Sequence, residues 1–265
     1  MDLALKGKTA VITGASRGIG LAAARSLAAE GAAVVLAARG RDALEDAARS
    51  LTADGHDDVA VAVADTTSTE SVQSMVATAV ARFGSVDVLV NAAARPGGGP
   101  APSILELDED FLRGELETKL LGYVRSARAV VPHMRAAGWG RVINIAGNAA
   151  FQTGNFVGSV RNGSVVAFTK NLADELAGTG VGVVGVHPGL TVTERIPAFL
   201  ATRAASNGTT PEQVEAELAA RNTVGRLVRS DEVATIITFL ASPLSTAVNG
   251  ETIGANGGVR GAIRL

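Results

Sequence analysis

The stretch TGASRGIG at 13–20 narrows the fold of this chain more than any other. It stands between a short apolar run at 8–12 and an alanine-rich run at 21–30 with helical character. A second apolar run at 32–38 follows where a βαβ unit needs its second strand. Gly14 lets the chain turn sharply out of the strand, Gly18 lets backbone approach a ligand with no Cβ between, and Gly20 lets the helix pack close to the sheet. The helix then opens with unpaired N–H groups aimed at an anion. Glycine is common here, with 31 in the chain, so the pattern takes its force from the order of strand, glycine turn, helix and strand. That order predicts dinucleotide binding, with Ser16, Arg17 and Ile19 lining the turn beside the three glycines.

Downstream the chain keeps alternating. Strands are predicted at 34–38, 59–64, 86–91, 141–145 and 181–186, and helices at 42–51, up to Phe83 and Gly84, at 109–136 and at 164–176. The run at 59–64 is small and β-branched throughout, as for a strand buried on both faces. Thr67 and Glu70 have the spacing of a capping box, and a Pro/Gly loop at 95–102 leads into the long helix. On that helix Leu112, Leu116, Leu120, Val124, Ala127, Val131 and Met134 form an apolar stripe expected to face the core. The alternation predicts an α/β protein, a doubly wound Rossmann-type parallel sheet of about seven strands with helices on both faces and right-handed crossovers. No repeat or linker splits the 265 residues, and 47% hydrophobic residues supply an ample core, so one domain is expected. The segment 190–230 breaks the rhythm, with one helical patch at 211–220. Its place after a strand's carboxyl end predicts a lid over a substrate.

A net charge of −2 offers no basic surface for nucleic acid or anionic lipid. The absence of cysteine excludes disulfides and thiolate chemistry. The first strand begins within a few residues of the start, leaving no room for a signal peptide, and no apolar run is long enough to span a bilayer. A soluble cytoplasmic protein acting on a small molecule is expected. No His, Asp or Glu cluster has metal-ligand spacing.

Several spaced motifs carry a resemblance across nearly the whole chain. With TGASRGIG at 13–20 come Asp65 after the third strand, NAAA from Asn91, His187-Pro188-Gly189 with Thr193 after the sixth strand, and GETIGANGG at 250–258. Together they resemble the short-chain dehydrogenase/reductase family. The resemblance implies Asp65, with Thr66 beside it, at an adenine, and the backbone of Asn91, Ala92 and Ala93 beside a ribose. It also implies Pro188, Gly189 and Thr193 around a nicotinamide and its pyrophosphate. Family members pair their long helices across two-fold axes, which implies a homotetramer.

Charge chooses the cofactor. An NAD site puts an acid near the end of the second strand for the ribose 2′-OH, whereas a 2′-phosphate needs cations there. Ala38 and Arg39 occupy that place, and Arg17 in the glycine turn adds a second guanidinium suited to phosphate. The prediction is NADP(H) over NAD(H).

The catalytic end of the resemblance fails. The family uses a Ser, then a Tyr that donates or accepts the proton, a Lys four residues after it, and an Asn on the preceding helix. Matching SVVAFTKNLADEL at 164–176 to the family's helix puts Gly158 at the Tyr position and Asn162 at the Lys position, with the Ser position at or near Gly147. Tyr123 is the only tyrosine in the chain. A positioned general acid contributes about 10²- to 10⁴-fold, so much of the catalytic apparatus survives this loss. Three readings stay open: an oxidoreductase of a small carbonyl or alcohol with a relocated proton donor, a non-redox enzyme on the same fold, and an NADP-binding module without chemistry. The intact cofactor motifs and the lid segment favour the first.

The family's Asn stands in an N-x-x-G setting, and here KLLG at 119–122 puts Lys119 there, so Lys119 and Asn162 have traded places. Lys119 is expected to contact cofactor or substrate with a pKa depressed by burial, and Asn162 to complete a polar network. Tyr123, one helical turn on, lies on the same face and offers a phenol. The plainer alternative is an exposed i, i+4 ion pair between Glu115 and Lys119. His187 reads as structural rather than as an acid. Gln152, Asn155, Ser159 and Arg161 form a polar set expected near the substrate. The substrate itself is not named by the sequence.

Overall fold

The computed structural model describes residues 1–95 and 102–261, so the Pro/Gly loop expected at 95–102 lies almost wholly outside the described residues. The amino-terminal half runs β1 (Thr9–Thr13), α1 (Gly18–Ala29), β2 (Ala33–Ala38), α2 (Arg41–Ala53), β3 (Val59–Val63), α3 (Thr69–Phe83) and β4 (Val88–Asn91). Then come α4 (Glu109–Leu116), a π-helical turn (Glu117–Leu121), α5 (Gly122–Ala137), β5 (Gly140–Ile145), α6 (Phe156–Glu175) and β6 (Val181–Pro188). The remainder is β7 (Thr191–Val192), α7 (Ile196–Asn207), α8 (Pro211–Ala219), β8 (Val228–Arg229), α9 (Ser230–Ala241) and β9 (Thr252–Ala255).

Seven strands form one parallel sheet in the order β3-β2-β1-β4-β5-β6-β9, the doubly wound architecture expected from the alternation. Helices α1, α2 and α9 bury Leu27, Leu44 and Ile237 against one face. Helices α3, α5 and α6 bury Met75, Val130 and Ala173 against the other. Each fully buried large aliphatic contributes roughly 1.5–3 kcal/mol. The central strands are buried from end to end because both faces are covered. The third strand departs from that expectation: β3 is an edge strand, its first three residues are only half-buried and Val63 is 42% exposed.

The predicted cap of α3 also shifts by one residue. Ser68, not Thr67, accepts from the Ser71 N–H at 3.2 Å, while Thr67 donates from backbone and hydroxyl to Asp65 at 2.9 and 2.8 Å.

The long helix expected at 109–136 is interrupted. The Gly122 N–H reaches the Glu117 carbonyl five residues back, which makes a π turn between α4 and α5. The inward face matches the predicted apolar stripe only from Ala127 on, where Ala127 and Met134 are buried and Val131 packs against the core. Leu112, Leu116, Leu120 and Val124 are only half-buried, whereas Glu115, Lys119, Tyr123 and Ser126 are buried. Polar side chains are therefore turned inward at considerable desolvation cost; Ser126 bonds the Gly122 carbonyl of its own helix, and the partners of Glu115, Lys119 and Tyr123 lie at the cleft described next.

Segment 190–230 builds a small apolar cluster of its own, with Ile196, Leu200, Val214 and Leu218 packed between α7 and α8. The two-residue strands β7 and β8 pair in parallel and tie its two ends together. Among the described residues no helix is long and apolar enough to cross a membrane, and no group of His, Cys, Asp or Glu has the arrangement of a metal site.

Candidate active site

Strand order reverses between β1 and β4, and the register there aligns Thr13 with Asn91 and Asn91 with Asn144 at the carboxyl ends. Such a switch point opens a crevice between diverging connections. Here a cleft of about 710 Å³ occupies it. The Thr13 hydroxyl fixes one wall by accepting from the Ala92 and Ala93 N–H groups at 3.1 and 3.2 Å.

The glycine turn forms the floor. Gly14 has φ +71°, and a Cβ there would lie 2.9 Å from the Ala92 oxygen and the Ala93 backbone. A Cβ on Gly20 would collide with the Gly14 carbonyl, so α1 sits directly on the turn. The N-cap of α1, Arg17, makes no side-chain cap, and the helix has no acid in its first turn. Its N–H groups are thus left for an outside acceptor. Glu194 supplies one: its Oε2 accepts from the Gly18 N–H at 3.3 Å. Sequence reasoning missed this residue, although an acid directly after Thr193 was a visible signal.

Seventeen of the predicted site residues line this cleft, and one does not. Asn91 is buried within the sheet, where its side-chain amide donates to Asn144 Oδ1 at 2.9 Å, and Asn144 in turn donates to Thr169. This polar ladder joins β4, β5 and α6 and leaves the neighbouring Ala92 and Ala93 to face the cleft. Just after β3, the Thr67 N–H and then its hydroxyl hold Asp65 below the ordinary carboxylate range, helped by the charges of Arg39 and Arg125.

The opposite end is built by the π turn. It carries Lys119, 5% exposed, with Nζ donating to the Ala146 carbonyl at 2.9 Å and to Asn162 Oδ1 at 2.8 Å. Asn162 is oriented by its own bond to the Gly158 carbonyl at 2.8 Å. Burial pushes the Lys119 ammonium down to about 7, the Arg161 charge adds to the shift, and Glu115 partly opposes it. The exposed Glu115–Lys119 ion pair is not formed. Both residues are buried, and Glu115 instead binds the Arg161 guanidinium across from α6.

Tyr123 is fully buried and donates its hydroxyl to the Ile145 carbonyl at 3.0 Å. Burial raises its pKa, so the phenol is committed to the backbone and is a poor proton donor at neutral pH. Of the polar set, only Arg161 lines the cleft. Asn155 caps α6 by accepting from the Gly158 N–H at 2.8 Å, and Ser159 bonds the Gln152 and Asn155 carbonyls, so that set mostly closes the start of a helix. His187 is fully buried with its ring edge-on to Phe151 at 4.6 Å and does not line the cleft.

Comparison with known proteins fits this geometry. The family model for short chain dehydrogenase matches residues 8–203. Short-chain reductase protein NovJ of Streptomyces niveus is 37% identical over 250 residues, covering 94% of this chain and 92% of that protein. The crystal structure of L-sorbose reductase from Gluconobacter frateurii, complexed with NADPH and L-sorbose, matches with a TM-score of 0.92 at 32% identity, over 99% of this chain and 100% of that one. A variant of actinorhodin polyketide ketoreductase with NADPH matches with a TM-score of 0.89 at 34% identity, over 96% and 98%. With the sequence match running from β1 into α7 and the fold shared along the whole length, the chain belongs to the short-chain dehydrogenase/reductase family.

Proposed function

We propose that this chain is an NADP(H)-dependent oxidoreductase of a small carbonyl or alcohol in which the Lys119 amine takes the place of the family's tyrosine. The observation that carries the reading is the Lys119 geometry. Two of its nitrogen's positions are bonded to Ala146 O and Asn162 Oδ1, and one tetrahedral position remains for a substrate oxygen in the cleft that Lys119 lines. Gly158 and Asn162, which fall at the family's Tyr and Lys positions, offer no titrating group.

The residues present fit the cofactor. A Cβ built on Gly18 would meet nothing closer than 3.7 Å, so the floor is open where α1 begins, and the Glu194 carboxylate already acts there as an anion's stand-in. Arg17 and Arg39 line the cleft without an ion pair among the described residues. When bound, NADPH supplies the hydride. In reduction the protonated Lys119 gives its proton to the substrate oxygen, and in oxidation the neutral amine takes it back. Asn162 and the Ala146 carbonyl hold the amine in place throughout. Substrate-dependent NADPH consumption, followed by absorbance, tests the reading, and a protein that binds NADPH but turns over no carbonyl or alcohol would sink it.

Arg39→Ala is expected to weaken NADP+ binding about 10- to 100-fold, the equivalent of one charge-assisted contact, and to leave NAD+ binding unchanged. Calorimetric titration of both cofactors checks this, and equal affinities in the unmodified protein would refute the choice of NADP(H). Glu194→Gln is expected to tighten NADP+ binding about 2- to 5-fold, because the side chain that holds the Gly18 N–H loses the charge that competes there. An unchanged or weaker affinity would show that Glu194 does not compete for that position.

Segment 190–230 acts in this reading as the lid, with Thr193 and Glu194 reaching the glycine turn from its base. The homotetramer belongs to it as well. Phe111, Leu121 and Phe156 stand exposed on α4, the π turn and α6, the helices that would pair between copies. A monomeric mass by light scattering at micromolar concentration would rule the assembly out.

A further inference from the structure

We propose that the substrate carries a carboxylate beside its reacting carbonyl and that Arg95 is the residue that selects it. This rests on the oxidoreductase reading above. Arg95 follows β4 at the cleft wall, and its guanidinium lies against α4 at Gly114, where a Cβ would stand 2.9 Å from Cζ. Glycine inside a helix is destabilising relative to alanine, and here its missing side chain leaves the notch that seats the guanidinium. The next residue, Glu115, holds the second guanidinium, that of Arg161. Lys119 stands one turn further on.

Three cations thus share one wall of the cleft, and Glu115 is the carboxylate paired within the group. Glu115 is matched to Arg161, which leaves Arg95 without an ion pair among the described residues. A seated, uncompensated guanidinium presents the planar fork that a carboxylate matches with two parallel bonds. Protonated Lys119 adds to the attraction and sits where the carbonyl oxygen must lie to receive a proton. The cleft is about 710 Å³ in total and the dinucleotide claims the larger part, so the acid is a small one. Of the lid segment's arginines, Arg203 and Arg221 are engaged with Glu217, Arg226 with Glu232 and Arg229 with Asp231, while Arg195 lines the cleft next to Glu194.

The test uses 2-oxobutanoate and its uncharged amide, 2-oxobutanamide, titrated calorimetrically into the full chain preloaded with NADP+. The acid is expected to bind at least tenfold more tightly than the amide. Arg95→Met is expected to erase that difference, Gly114→Ala to reduce it by displacing the guanidinium, and both to leave NADP+ affinity unchanged. Equal binding of acid and amide, binding of neither, or a preference that survives Arg95→Met overturns the proposal. Failure of the cofactor reading appears separately, as absence of NADP+ binding in the preloading step. In that case an Arg95-dependent preference of the free protein for the acid still supports the anion site.

Discussion

Replacing Lys119 by methionine is expected to lower kcat by about 10²- to 10⁴-fold, the share of a rate that a positioned general acid supplies. Methionine keeps an unbranched apolar stem at the same buried position, so the melting temperature serves as the control for folding. The pH profile carries the sharper signature. With the amine at about 7, reduction is flat below that pH and falls tenfold per unit above it, because the protonated form gives the proton. Oxidation runs the opposite way and reaches its plateau above 7. Both inflections should vanish in Lys119→Met. Stability has its own sign. The folded pKa lies below the ordinary value of 10.5, so the folded protein holds fewer protons than the unfolded chain between the two. Stability from this group is therefore fully present above about 10.5, is lost as pH falls toward about 7 and is level below it. A variant with full turnover, or an inflection near 7 that persists in it, would remove Lys119 from the chemistry.

Arg141→Met is expected to be the most destabilising single change away from the cleft. Arg141 is buried at the start of β5, and desolvation lowers its pKa. Its guanidinium donates to the Leu240 carbonyl at 3.0 Å, the Ser245 carbonyl at 2.7 Å and the Val248 carbonyl at 3.3 Å. These carbonyls close the end of α9 and the turn that feeds β9. Methionine removes three charge-assisted donations, although the Leu240 carbonyl keeps the Ser245 hydroxyl and the Ser245 carbonyl keeps the Val248 N–H, at a cost of about 3–5 kcal/mol for the set. The melting temperature should fall by about 6–20 °C. Arg141→Lys should lose less, since an ammonium can keep part of the set. The residue stands at the end of the sheet opposite the cleft, so cofactor affinity of the folded fraction is expected to hold. An unchanged midpoint in thermal unfolding would refute the role.

The sheet was legible in the sequence because its signals are local. TGASRGIG needs only its own backbone and two neighbouring apolar runs to announce a crevice, and every residue of it named as lining that crevice does so. The errors came where a partner distant in sequence decides the outcome. Asn91 was expected to offer its backbone beside a ribose, and the partner of its side chain, Asn144 on the next strand, gives no signal in the sequence. The plainer alternative for Glu115 and Lys119, a surface ion pair, fails for the same reason, because Arg161, 46 residues after Glu115, takes the carboxylate. The apolar stripe on the long helix assumed an unbroken period of 3.6, and one π turn breaks it, so that Ala127 and Met134 after the turn reach the core while Leu112 and Leu116 before it are only half-buried. Glu194 was passed over because its place directly after Thr193, though a signal, does not by itself name the α1 N–H that it meets. Lys119 and Asn162 were expected to share a polar network, and the two do bond to each other.

A π turn is an α-helix that has gained one residue without lengthening its neighbours. The placement of Lys119 therefore depends on a count as well as on identity. Deleting a single residue from 117–121 would let α4 and α5 fuse into a regular helix. Residues on one side of the cut would then turn by about 100° relative to the other, since each α-helical residue advances the helix by that angle. Every side chain would still be encoded, yet Glu115 and Tyr123 would no longer share a wall with the amine between them. A lineage that mutates by substitution alone cannot make or unmake this arrangement in one step, whereas a three-nucleotide deletion can. Chain length in this turn should accordingly be a better marker of relatives that work the same way than the lysine by itself.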